Sequence, residues 1–254
     1  MWPQADGQHC STSWRFSKSY LSSRRLRKFF RQRSETTAHS QSQRPRSSFT
    51  PRHLSDFVSF FDKIFIPDSF SCRDGKGPHK ALNRFREMFY QVSKNNHRTC
   101  WVLKCDIKKF FDNINHGILV NILRQYIPNN NIISLLQEVI ESFSNRNDRC
   151  GLPLGNLTSQ LFANVYMNVF DQFVKHKLKA RYYIRYADDF VFLSHNREHL
   201  KNLIPEIQKF LLEKLKLNLH PNKVFLQTVA SGIDFLGWKH FVDHRVLRET
   251  TRRQ

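Results

Sequence analysis

Apolar residues recur along this chain at helical spacing in some stretches and at strand spacing in others, and the changes mark its elements. From Leu54, residues Phe57, Val58, Phe60, Phe61, Ile64 and Phe65 line one face of a helix that breaks before Pro67. Ser71 to Pro78 is a turn-rich, basic loop, and a helix is expected from about His79 to Tyr90. Trp101 to Ile107 reads as a short, mostly buried strand. Ile118, Leu119, Ile122, Leu123 and Tyr126 then fall at helical spacing, and a second helix covers Ile132 to about Phe143. Beyond the loop Gly151-Leu152-Pro153-Leu154-Gly155, the pairs Leu161/Phe162, Val165/Tyr166, Val169/Phe170 and Phe173/Val174 recur every four residues, a wide core-facing stripe. Tyr182 to Ser194 predicts two strands joined by the tight turn Tyr186-Ala187-Asp188-Asp189. A helix over Arg197–Leu215, bent or broken at Pro205, and strand-like segments at Val224–Val229 and Asp234–Phe241 close the pattern.

Residues 1–52 stand apart: 11 Lys/Arg, 11 Ser and only two acids, Asp6 and Glu35, with little apolar periodicity outside Leu21–Phe30. They read as a basic, largely unstructured arm. The remainder, in a chain of 254 residues that is 40% hydrophobic, is long enough for one large domain or two small ones with a packed core. Forty-one Lys+Arg against 21 Asp+Glu leave a formal charge of +20, which calls for a polyanionic partner, and nucleic acid is the usual one. No apolar stretch approaches the ~20 residues of a membrane span or has the continuity of a secretory signal, so no membrane partner and a cytoplasmic location are expected. The five cysteines (Cys10, Cys72, Cys100, Cys105, Cys150) form no Cys-x-x-Cys pair, which points to reduced thiols rather than a disulfide framework or zinc site.

Candidate chemistry lies in acidic residues at the ends of apolar strands: Asp106, and the pair Asp188-Asp189. An isolated buried carboxylate costs several kcal/mol. Several that converge repel one another unless divalent cations neutralise them, and oxygen ligands select Mg²⁺ or Mn²⁺. Taken alone, Asp188-Asp189 also suits a polar hairpin turn.

The pair is not alone. Asp106-Ile107-Lys108-Lys109-Phe110-Phe111-Asp112 and Gly151-Leu152-Pro153-Leu154-Gly155-Asn156-Leu157-Thr158-Ser159-Gln160 precede Tyr186-Ala187-Asp188-Asp189, and the three blocks resemble the A, B and C motifs of reverse transcriptases. His220-Pro221-Asn222-Lys223 resembles motif D, Phe235-Leu236-Gly237-Trp238 the primer grip, and Ser69 to His79 the second fingers motif of bacterial enzymes. The resemblance implies an α+β fold: a palm of antiparallel sheet backed by helices, with partial fingers and the thumb largely absent. It implies a basic arm at 1–52, partial fingers at 53–105 and a palm with primer grip at 106–254. The activity implied is RNA-directed DNA polymerisation, with an RNA template, a DNA or RNA primer and dNTPs as partners.

The same resemblance assigns roles. Asp106, Asp188 and Asp189, with the Ile107 carbonyl, would hold two Mg²⁺ (or Mn²⁺) ions. Phe111 would stand under the nucleotide sugar and exclude a 2′-hydroxyl; an ordinary core aromatic is the alternative. Leu154, Gly155 and Gln160 would line the nucleotide site. Lys223 would protonate the leaving pyrophosphate, unless it is simply a solvated lysine. Arg73 and Lys76 are candidates for template or triphosphate contacts, with a solvated basic turn as the rival. Phe235, Leu236, Gly237 and Trp238 would place the primer end, although Leu236 and Trp238 also suit a core. Motif B narrows the resemblance: Leu154 stands where many reverse transcriptases carry Gln, and the block is similar to that of diversity-generating retroelements, whose enzymes copy a template repeat with frequent errors at adenines and carry a small basic accessory protein. Retron and group II intron types share the Tyr-Ala-Asp-Asp turn. Residues 1–52 show no convincing early fingers strand, and Gln254 falls just after the primer grip, so weak nucleotide and duplex grip is expected. Two other readings compete: a decayed polymerase domain that only binds RNA, and a two-metal nuclease.

Overall fold

The computed structural model describes residues 51–142, 149–153 and 157–249, all within the unit Ser48–Gln254. Two helices come first, α1 (Pro51–Asp62) and α2 (Pro78–Ser93), followed by strand β1 (Trp101–Asp106). Helices α3 (His116–Tyr126), α4 (Asn130–Glu141) and α5 (Leu157–His176) lead to the hairpin β2 (Tyr183–Tyr186) and β3 (Asp189–Ser194). Helix α6 (Arg197–Leu215) and strands β4 (Phe225–Thr228), β5 (Ile233–Phe235), β6 (Trp238–His240) and β7 (Arg245–Leu247) complete the described chain. The expected arm therefore lies outside the described residues, apart from the start of α1 at Pro51.

Four strands form an antiparallel sheet in the order β2-β3-β1-β4. β1 is central, and its alternating side chains are buried on both faces. Val102, with Ile184, Val191 and Leu193 from β2 and β3, meets Leu82, Phe85, Met88, Phe89 and Val92 of α2. On the opposite face Tyr183 and Phe190, each against Phe192, meet Phe170 of α5, which in turn touches Phe210 of α6. Such two-sided cover explains why β1 and β3 read as nearly continuous apolar runs. The expected fingers–palm boundary at 105/106 cuts β1, whose six residues share one sheet.

Local chemistry sets the ends. Asn115, Asn129 and Asn196 cap α3, α4 and α6 by accepting backbone N–H bonds, and Pro78 opens α2 where no intrahelical donor is needed. The helix α6 continues through Pro205, which lies on its exposed side. The segment expected as one strand, Asp234–Phe241, is instead a hairpin: β5 and β6 are joined by Leu236 and Gly237, with φ of +50° and +80°. β7 pairs with β6 to give a second, three-stranded sheet, and Phe235 anchors it in the same core as α2, 5.6 Å from the Phe85 ring.

Candidate active site

The β1–β3 ladder decides where the acids go. Asp106 pairs directly with Asp189. Paired residues in an antiparallel ladder lie about 4.5–5.5 Å apart at Cα and project their side chains to the same face. Asp188 occupies the hairpin turn, one residue earlier, after Ala187 at φ +54°. Three carboxylates far apart in sequence are thus gathered at the open end of one sheet.

Their electrostatics record the crowding. Burial pushes the Asp188 carboxyl above its usual range, and Asp106 adds to the rise, while Lys223 and Arg185 oppose it. Asp189 is pushed up to about 6, chiefly by burial; Lys104 opposes the rise, while Asp106 and Asp188 add to it. Two lysines answer the charge: Lys223 Nζ lies 3.1 Å from Asp106 Oδ2, and Lys104 Nζ 3.3 Å from Asp189 Oδ2.

Lys223 arrives through backbone pairing. An antiparallel bridge joins Ile107 to Leu219, with Lys108 N–H donating to Asn218 O at 2.9 Å and His220 N–H to Asp106 O at 2.8 Å. The turn His220–Lys223 is closed by Lys223 N–H on His220 O. Motif D therefore meets motif A at the strand end.

Among the described residues, no group of three His, Cys, Asp or Glu side chains is arranged to hold one ion by itself. Mg²⁺ asks for less, since it binds through one or two carboxylates, keeps several waters and takes the remaining oxygens from substrate phosphates. The donors here are hard oxygens with excess negative charge, and Asp189 Oδ1 is buried with no hydrogen-bond partner. The residues present fit such an ion.

Motifs A and B also meet. After β1 the chain turns at Lys109 (φ +46°) into a short 3-10 turn, Phe111–Asn113. Phe110 is buried and Phe111 only half-buried beside it, their centroids 5.2 Å apart. Leu152 N–H donates to Phe111 O and Gly151 N–H to Ile114 O, both at 2.9 Å. Gly151 has φ +101°, and a Cβ there would face the Asp112 carbonyl at 3.5 Å. Gln160 sits half-buried near the start of α5; Leu154 and Gly155 lie outside the described residues.

Other candidates make contacts within the fold. Arg73 is 6% exposed; it pairs with Asp62 at 2.6 Å and donates to the carbonyls of Ile66, Ser69 and Asp62. These bonds clamp the loop after α1. Lys76 likewise donates to Pro67 O at 2.8 Å and lies over the Phe70 ring. In the expected primer-grip block, Phe235 is core and Leu236–Gly237 form the turn. Trp238 is half-buried under the Arg245 guanidinium, 5.1 Å from its ring centroid.

Two groups were not singled out by sequence reasoning. Arg185, fully buried on β2, forms a forked pair with Asp171 of α5 and donates to Asn164 Oδ1, Ser69 Oγ and the Ala187 carbonyl. Its own backbone pairs with Asp68 and Phe70. Arg185 thus ties the turn that carries Asp188 to α5 and to the loop after α1. Lys104 is the second. The signal for both was present: one charge inside the apolar runs Trp101–Cys105 and Tyr182–Tyr186.

The architecture and the convergence of these blocks define a polymerase palm. The sequence model for reverse transcriptase (RNA-dependent DNA polymerase) matches residues 33–240, and the chain belongs to that family. Protein YkfC of Escherichia coli is 26% identical over 72% of this chain and 56% of its own length. The group II intron-encoded protein LtrA of Lactococcus lactis is 22% identical over 80% of this chain and 44% of its own. A putative COX1/OXI3 intron 2 protein of Saccharomyces cerevisiae is 23% identical over 57% and 24%. The chain therefore spans from a quarter to just over half the length of these relatives. Among solved structures, apo telomerase of Candida tropicalis superposes with a TM-score of 0.60 at 16% identity, over 77% of this chain and 44% of that one, a likeness of fold.

Proposed function

We propose that the protein is an RNA-directed DNA polymerase that extends a primer along an RNA template by nucleotidyl transfer from dNTPs. One observation carries the reading: Asp106 and Asp189 face each other across β1 and β3, Asp188 is in the adjoining turn, and Lys223 is on Asp106. Asp106, Asp188 and the Ile107 carbonyl would hold Mg²⁺ or Mn²⁺, with Asp189 assisting. Two such ions supply acidification of the primer 3′-hydroxyl and neutralisation of the leaving pyrophosphate. Lys223 holds a proton at Nζ for that pyrophosphate. Phe111 offers a half-exposed ring against the nucleotide's 2′-position and so selects dNTPs. The basic surface holds the phosphates of template and primer, and a cytoplasmic location agrees with four described cysteines that are all free.

Among family types we favour the error-prone enzymes of diversity-generating retroelements, because Leu154 has no amide to hydrogen-bond the nucleotide or its neighbours. A small basic accessory protein belongs to that reading. The group II intron-type enzyme is the second reading, favoured by the intron-encoded relatives. Primer extension on poly(rA)/oligo(dT) with Mg²⁺ or Mn²⁺ tests the activity. Incorporation of dTTP is expected; RNA binding without incorporation, or cleavage without dNTPs, would overturn it. For the type, Leu154→Gln is expected to reduce misincorporation opposite template adenine, and an unchanged error spectrum would favour the second reading.

A further inference from the structure

Lys104 stands where the sheet's α2-facing side changes character. On this face of β1, Val102 is sealed in the core, Asp106 is at the open acidic end, and Lys104 lies between them with 18% of its side chain exposed. A lysine at such a boundary lays its apolar stem on the core and directs the ammonium to whatever acceptors lie beyond. Two acceptors receive it: Asp189 Oδ2 at 3.3 Å, and the backbone carbonyl of Asp234, on β5, at 2.9 Å. One ammonium therefore joins the catalytic ladder to the β5–β6 hairpin, a connection spanning 130 residues of sequence.

The hairpin's sheet is also tied to α2, by Arg86 donating to the Asp243 carbonyl at 2.6 Å and Arg245 to Asn83 Oδ1 at 3.4 Å, but these bonds do not reach the acids. The hairpin leaves the four-stranded sheet after β4 through Gly232, at φ +84°, where a Cβ would meet Lys239 Cε at 2.5 Å. Its apolar anchor, Phe235, fixes depth in the core, but apolar packing is non-directional. The Asp234 side chain is engaged elsewhere, 3.1 Å from Arg248. The directional bond between this hairpin and the acids is the one from Lys104.

We propose that Lys104 is a positioning residue: by sharing one ammonium between the Asp189 carboxylate and the Asp234 carbonyl, it sets the Ile233–His240 hairpin at a fixed distance from the catalytic carboxylates. The consequence for catalysis rests on the polymerase reading above, in which this hairpin presents the primer end. Misplacing reacting atoms by about 1 Å costs on the order of 100-fold in rate, so the hairpin needs a directional bond to the acids as well as its ties to α2.

The test compares wild type, Lys104→Met and Lys104→Arg by amide hydrogen exchange and by primer extension. Exchange in residues 233–240 is expected to rise about tenfold in Lys104→Met, with the amides of β1 and β3 unchanged, and to return most of the way in Lys104→Arg. In extension, kcat is expected to fall about tenfold while KM for primer–template stays within about twofold, because affinity comes from many phosphate contacts. Unchanged exchange in the hairpin, or acceleration spread evenly over both sheets, overturns the positioning role. A wild-type protein that extends no primer would refute the polymerase reading instead, and the exchange measurement would still decide for or against Lys104.

Discussion

A single proton separates two states of Asp189, and that makes the residue scale testable without any substrate. Its carboxyl titrates at about 6 in the fold, against about 4 in the unfolded chain. The fold therefore holds this proton more tightly, and stability is lost as pH rises from about 4 through 6, by up to about 3 kcal/mol. His240 has the opposite sign. Burial, then Arg245 and Arg86, push it down to about 4, so its contribution is present above about 6.5 and lost as pH falls through 4. In EDTA, Asp189→Asn is expected to melt above wild type at pH 7 and together with it at pH 4; equal melting at both values would contradict the assignment. Asp188→Asn is expected to lower incorporation by about a thousandfold or more while RNA affinity, read by filter binding, stays within about twofold. Loss of both together would give Asp188 a structural role. These acids were legible in the sequence, because carboxylates at strand ends conflict with burial. The internal partners of Arg73 were not legible, because charge shows at the sequence level, whereas the carbonyls of Ile66 and Ser69 that accept from it do not.

Element by element, the helices were the easier reading. The four-residue recurrence in α5 is a local signal that tertiary packing did not override. The β5–β6 hairpin was not read, since Leu236 and Gly237 both take positive φ and leucine is an unusual residue there. Packing of Phe235 against Phe85 compensates for that strain, and such a contact is invisible from position 236. β7 was missed as well: three residues, two of them exposed, carry no period. The buried Arg185–Asp171 pair joining β2 to α5 yields a sharper expectation. Asp171→Leu leaves a buried guanidinium uncompensated and is expected to cost about 3–5 kcal/mol in urea unfolding. The double variant Asp171→Leu/Arg185→Met is expected to regain most of that stability, yet not the activity, since the bond to the Ala187 carbonyl stays lost. Recovery of both would mean that the pair only fills space.

At the scale of the whole molecule, charge and topology divide the work. No helix among the described residues is long and apolar enough to cross a membrane. A formal charge of +20 predicts strongly salt-dependent RNA binding, losing on the order of a thousandfold or more between about 50 and 200 mM salt if six or more phosphates are contacted. A flat salt profile would place the contacts on bases instead. Sheet order β2-β3-β1-β4 brings the two central strands, and with them both acidic blocks, to a common end, and no local pattern in the sequence states that order. The family resemblance implied only that the acids meet, and the ladder register accounts for that meeting physically. Counting bound Mn²⁺ by electron paramagnetic resonance, with a 3′-deoxy primer on an RNA template and the matching dNTP present, addresses the carboxylate centre most directly. Two tightly bound ions per complex are predicted for wild type, with a loss in Asp106→Asn and Asp188→Asn. A wild-type ternary complex that retains no tightly bound Mn²⁺ would contradict the account.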